Sequence, residues 1–236
     1  MRLPVLLKTK LLDHRMQSAS TSQKKQYWNA ATQLVTSLQN LSQRGRQVVQ
    51  EIVGDNTFVE WEHYPENDVR DLKHASQYFY HAHTGLQRSF AEHGHFHLFV
   101  HAQELGLRPA NARYDEAPAH VIAVSMNAQG LPTAFFAVNR WVTKGPWLSY
   151  EACEIALDHF ALKGRQGSRD INRFLTALVQ LYRSQILDVI KERDRVMQKL
   201  SQERDRRTVF ADRNIELLCY APIALMDDIE ALENFI

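Results

Sequence analysis

The chain has 236 residues, 44% of them hydrophobic and 23% charged, and a formal net charge of +1. That length leaves room for a real core, and the composition is that of an ordinary globular protein. The balanced charge excludes a nucleic-acid binder held by a broad basic surface, and no apolar run reaches the length of a membrane span.

In chain order, residues 1–19 carry basic residues and leucines, but their longest apolar run is only Leu3 to Leu7. No small-residue cleavage site follows, so a flexible leader is expected here rather than a signal peptide. Residues 20–236 are expected to form one α+β domain. Over residues 20–53, Trp28, Ala31, Leu34, Val35, Leu38, Leu41, Val48 and Ile52 recur near a 3.6-residue period, which predicts a helix stopped by Gly54. Short strands are predicted over residues 58–63, 78–83, 93–100, 120–127 and 133–142. Residues 128–130 make a hairpin signal between the last two. Residues 64–71 and 106–118 read as loops, with prolines at 65, 109 and 118.

The second half, residues 149–236, turns helical. Ser149 suits a cap for a helix ended by Gly164. Ser168 or Asp170 suits a cap for a long helix with Ile171, Phe174, Leu175, Leu178, Tyr182, Ile186, Val189 and Ile190 on one stripe. Beyond Ile190 the charges alternate in sign, as on a solvated, projecting helix end. A strand over 215–223 and a helix over 224–235 close the chain. This order favours an antiparallel, meandering sheet over residues 58–142, packed with N-terminal and C-terminal helices. Cys153 and Cys219 lie far apart in apolar segments and read as buried, reduced thiols of a cytoplasmic protein.

The chemistry concentrates in residues 78–103, which hold six of the chain's eleven histidines. Strand side chains alternate faces. If residues 78–83 and 93–100 pair as antiparallel neighbours through residues 84–92, one register sets His83 opposite His93 and His81 opposite His95. It also sets Tyr80 opposite Phe96, Tyr78 opposite Leu98 and Ala82 opposite Gly94. The large apolar side chains then share one face, while His81, His83, His93, His95 and His97 share the other. A slip of one residue would bury the imidazoles and expose the aromatics. Opposed Cβ atoms stand about 5 Å apart, close enough for two imidazoles to share an ion.

Five neutral imidazoles would repel one another once protonated, and a cation removes that cost. Three or four of these histidines are therefore expected to ligate a divalent transition metal. Imidazole suits zinc, iron and copper equally. Candidate carboxylate ligands are Glu60, Asp68, Asp71 and Glu104, and Glu92 is the candidate to orient a ligand from behind. His101 and His120, at strand ends, are weaker candidates, and His14, His74 and His159 read as ordinary surface or hydrogen-bonded histidines. A histidine-lined site with an open coordination position points to a hydrolytic or oxidative enzyme with a small-molecule substrate. A non-enzymatic metal sensor or partner-binding module is the competing class.

Two resemblances add to this. Residues 93–99, HGHFHLF, resemble the histidine-triad pattern of alternating histidines and apolar residues, with Gly94 in one apolar slot. That resemblance implies nucleotidyl or phosphoramidate hydrolysis with His95 as the nucleophile, although no glycine-rich phosphate element precedes it. The stretches SQYFYHAH (residues 76–83), EHGHFH (92–97), VNRWVT (138–143) and IELL (215–218) resemble an uncharacterised bacterial family of conserved hypothetical proteins, from about His63 onward. The resemblance implies one intact domain and brings no activity. Its order and spacing set Asn139, Arg140 and Trp141 near the histidines, where Arg140 could hold an anionic substrate group or bridge strands.

Overall fold

The N-terminal part begins with a two-residue strand, β1 (Val5–Leu6), and a short helix, α1 (Leu12–Ser18), before the long helix α2 (Thr21–Gln43). Ser20 starts α2: its hydroxyl accepts the Gln23 N–H, and the Gln23 side chain accepts the Ser20 N–H, so two donors that a helix start leaves bare are satisfied. The structure, a computed structural model, describes residues 2–8, 12–55, 57–83, 92–109 and 116–233. The connection expected over residues 84–92 therefore lies, except for Glu92, outside the described residues, as do parts of the leader and of the loop 106–118.

The helix predicted over 20–53 is broken in two. Gly45 takes a φ of +68°, which a right-handed helix does not contain, and the chain restarts as α3 (Val48–Val53). The strand predicted over 58–63 is absent, because Trp61 turns the chain at a φ of +72°. The loop predicted over 64–71 is instead strand β2 (Tyr64–Asp71). Pro65 and the charges of this segment suggested a loop, but β2 is the last strand of the sheet, where proline and charge are tolerated.

Strands β3 (Ser76–His81), β4 (Gly94–Val100), β5 (Ala119–Met126) and β6 (Pro132–Val138) follow. The strand predicted over 133–142 stops at Val138. Asn139 is fully buried there and caps the short helix α4 (Arg140–Thr143), with its side-chain NH2 donating to the Val209 carbonyl at 2.8 Å. Next come α5 (Tyr150–His159), capped by Ser149 and ending ahead of Gly164, then α6 (Arg169–Leu181) and α7 (Arg183–Glu203), separated at Tyr182. Helix α8 (Arg206–Ala211), strand β7 (Leu217–Pro222) and helix α9 (Leu225–Glu233) complete the described chain.

The fold is α+β. Seven strands form one mixed sheet in the order β1-β7-β6-β5-β4-β3-β2, antiparallel throughout except that β1 runs parallel to β7. One face carries Tyr78, Tyr80, Phe96, Leu98, Ile122, Val124 and Phe135 into a common core with Phe174, Leu178, Ile186, Val189 and Ile190 of the helices. Each such side chain, fully buried, contributes roughly 1.5–3 kcal/mol. The buried phenols keep partners: Tyr78 donates to Asn172 at 3.0 Å and Tyr182 to Asp228 at 2.6 Å. Both cysteines are free and buried.

Helix α7 does not project beyond Ile190. Arg193, Val196 and Met197 are buried, and the Arg193 guanidinium lies 4.3 Å from the Trp147 ring centre and donates to the Leu148 carbonyl at 2.7 Å. Arginine's long apolar stem and flat head let it cover aromatic surface, which a charge run read as a string does not reveal. No helix among the described residues is long and apolar enough to cross a membrane.

Asp71, at the end of β2, holds the 160s loop to the sheet. Its carboxylate accepts from the backbone N–H groups of Lys163, Gly164 and His74 at 2.6, 2.8 and 3.0 Å and contacts the His74 ring at 3.0 Å. Burial pushes its pKa up, but these donors outweigh burial and hold it below the ordinary 3.8. A lowered folded pKa means a contribution that is present above the unfolded value and lost as pH falls through the folded one. Asp71→Ala, which strands these donors, is expected to cost about 3 kcal/mol at pH 7. In urea melts the gap to wild type should shrink below about pH 4.

Candidate metal centre

The register of β3 and β4 agrees with the sequence expectation: His81 pairs with His95, Tyr80 with Phe96 and Tyr78 with Leu98. Tyr78, Tyr80 and Phe96 go to the helical side, and His81, His95 and His97 go to the other, with Phe79 and Phe99 among them. Gly94 allows the close approach at the end of the pair. A Cβ there would stand 2.7 Å from both the His81 carbonyl oxygen and the Ala82 Cβ, so only glycine fits.

The imidazoles meet as an ordered cluster. His81 Nε2 and His95 Nε2 are 2.6 Å apart, and Glu92 Oε1 stands 3.2 Å from His95 Nδ1. An ionised carboxylate only accepts, so Glu92 keeps the proton on Nδ1 and leaves the His95 Nε2 lone pair facing His81. His83 stands edge-on to both, its ring centre 5.4 Å from each. The ligand atoms of His81, His83 and His95 all lie within 4.8 Å of one another, a group able to hold a metal ion. Imidazole nitrogens on a tetrahedral ion at 2.0–2.1 Å stand about 3.4 Å apart, so small ring movements suffice.

Other expected site residues sit around this group or away from it. His97 is 1% exposed; its ring centre is 4.8 Å from that of His95, and its Nδ1 is 3.0 Å from His120 Nε2. His93 does not join them. The chain bends at His93 before β4 begins, so strand alternation does not govern it, and its Nδ1 lies 2.8 Å from the Tyr80 hydroxyl on the opposite side of the sheet. Burial and the charge of Glu92 push the Tyr80 pKa up, which keeps that hydroxyl a donor. The Arg140 guanidinium lies 5.4 Å from the Phe210 ring, Asn139 caps its own helix, and Trp141 donates to the Ile215 carbonyl at 2.8 Å. These described contacts join α4 to α8 and to the chain before β7.

Of the candidate carboxylates, Glu104 pairs with Arg70 and Asp71 serves the fold as described. Asp68 accepts from Gln77 at 2.7 Å and lies 3.1 Å from His63 Nδ1; Gln77 in turn meets His101 Nε2 at 2.8 Å. His63 and Trp61 were not among the expected site residues. The His63 ring stacks on Phe79 at 3.6 Å, and the Trp61 indole stacks on His83 at 4.1 Å, nearly parallel at 6°. No spacing rule ties Trp61 or His63 to the strands; their approach is made by the turn at Trp61.

His120 is pulled down to a pKa of about 3 by burial and by the nearby charge of Arg193. Burial and Arg70 likewise lower that of His101, against Glu104. A histidine that protonates less readily folded than unfolded contributes stability that is full above about pH 6.5 and lost as pH falls toward the folded value. His120→Gln, which keeps a polar group against His97 without the titration, is expected to reduce the stability lost between pH 7 and pH 5 by about 1–2 kcal/mol. Chemical denaturation at those two pH values measures it.

No curated protein and no solved structure matches this chain. A family match spans residues 28–223, which takes in the sheet from β2 to β7 and every histidine of the cluster. The chain belongs to the family described as "Domain of unknown function (DUF6969)".

Proposed function

We propose that this protein binds one divalent transition metal through His81, His83 and His95 and is a metal-dependent enzyme of the hydrolytic or oxidative type, acting on a small molecule. One observation carries the reading: three imidazoles with ligand atoms within 4.8 Å, one of them backed by a carboxylate at 3.2 Å. Three protein ligands are what catalytic zinc sites use, with a position left for water or substrate. A metal bound there would supply Lewis-acid or redox chemistry. The chain's own residues have separable parts. Glu92 sets the tautomer of His95. The His97–His120 pair, 3.0 Å apart, lies beside the group. Phe136, whose ring centre is 5.3 Å from that of His95, borders the site with apolar surface.

The bond between Glu92 and His95 also supports a second, metal-free reading, in which His95 Nε2 attacks phosphorus as the middle histidine of a triad-like motif does, the P–N bond of a phosphoramidate breaks to release the amine, and water then cleaves the phosphohistidine. The two readings part on metal content. Untagged wild-type protein is expected to bind close to one equivalent of zinc, iron or copper, and His95→Ala to lose at least 100-fold in affinity. Glu92→Gln should weaken binding about 10- to 100-fold. Equal, substoichiometric metal in wild type and His95→Ala would end the metal reading. Metal-free wild type that cleaves a nucleotide phosphoramidate would establish the second. Metal binding without turnover on any substrate would make the protein a sensor or binding module.

A further inference from the structure

His83 is the metal-group residue that the sheet does not hold. Strand β3 ends at His81, two residues earlier, so neither ladder pairing nor alternation determines where the His83 ring points. Besides its edge-on contacts with His81 and His95, it meets the segment before β2. The Trp61 N–H donates to the Ala82 carbonyl at 2.9 Å, and the Trp61 indole lies flat on the His83 imidazole at 4.1 Å and 6°. Trp61 achieves this at a φ of +72°, a region that a bulky residue rarely occupies. The same indole meets His81 edge-on at 6.5 Å, while His63, two residues later, meets His81 edge-on from 5.9 Å. The segment is itself anchored: the Val59 N–H donates to the Tyr64 hydroxyl at 2.7 Å.

Trp61 is 63% exposed, so core packing does not account for a tryptophan in a strained backbone here. The stack on His83 does. We propose that Trp61 is the positioning residue of the metal centre: it holds His83 in ligand orientation and so completes a three-imidazole site that β3 and β4 alone would leave with two. The inference rests on the metal reading above. A planar indole against one imidazole face restricts ring rotation, and it covers that face without covering the ring edge that carries both nitrogens. Strained residues of this kind persist where surrounding contacts over-determine them, and they concentrate at functional sites.

The test uses the full chain, with cobalt(II) as the probe, read by its visible spectrum and by competition with zinc. Trp61→Ala is expected to weaken cobalt affinity about 10- to 100-fold and to shift the spectrum toward that of His83→Ala, while Trp61→Phe, which keeps a flat ring, stays within about threefold of wild type. Trp61→Gly removes both the ring and the strain, so it should bind as weakly as Trp61→Ala yet melt no lower than wild type without metal. In a double-mutant cycle, adding Trp61→Ala to His83→Ala should cost nothing further, because the tryptophan acts through that histidine. Wild-type affinity and spectrum in Trp61→Ala would overturn the positioning role while leaving the metal site standing. Additive losses in the double mutant would do the same. A wild type that binds neither cobalt nor zinc would remove the site and the role together.

Discussion

The pairing of β3 with β4 is the constraint on which the rest depends. Tyr78, Tyr80, Phe96 and Leu98 must reach the helices α6 and α7, and they can do so in only one parity. That requirement turns His81, His95 and His97 to the other side and presses two imidazoles within 2.6 Å of each other. The apolar face thus does the work of assembling the polar one. Gly94 lets the strands close at the end where contact matters, and the bend just before it releases His93 to the other side.

A cluster of buried and half-buried imidazoles is electrostatically demanding. Each nitrogen-to-nitrogen bond needs one donor and one acceptor, so His81 with His95, and His97 with His120, cannot both be fully protonated. Burial, with the nearby charge of Arg193 adding to it, pulls the His120 pKa down in the same sense. The result is a set of lone pairs kept available near neutral pH in surroundings where charge is costly. Such an arrangement suits a cation. It also explains why the carboxylate that meets the cluster, Glu92, sits behind His95 and sets its tautomer.

The rim of the site comes from chain that looks unremarkable on its own. Segment 57–63 and strand β2 lie at the edge of the sheet, where proline and charge are permitted and where backbone turns are not dictated by pairing. From there Trp61 stacks on His83, His63 stacks on Phe79, and both meet His81 edge-on. The described contacts of Arg140, by contrast, belong to the packing of α4 with α8. An arginine beside a family motif reads as a ligand for anions, whereas here its flat cation covers an aromatic ring.

Alternation was legible from the string of residues because it is local: two histidines separated by one residue on a strand share a face wherever that strand lies. The parity of the pairing was legible too, since a slip of one residue would turn Tyr78, Tyr80 and Phe96 away from the core, and the register read as allowed is the one found for His81 with His95. The helix cap at Ser149 follows from a side chain that bonds its own backbone. What depended on tertiary structure was everything carried by strand order and irregular backbone. The edge position turned residues 64–71 from an expected loop into a strand. The positive φ of Gly45 and Trp61 broke an expected helix and removed an expected strand. The burial of Arg193 came from the aromatic surface of Trp147, supplied by the connection between α4 and α5. Which imidazoles touch was likewise decided in three dimensions, by a bend at His93 and a stack on His83, because contacts between distant segments depend on how the chain turns between them, and side-chain type alone does not determine that.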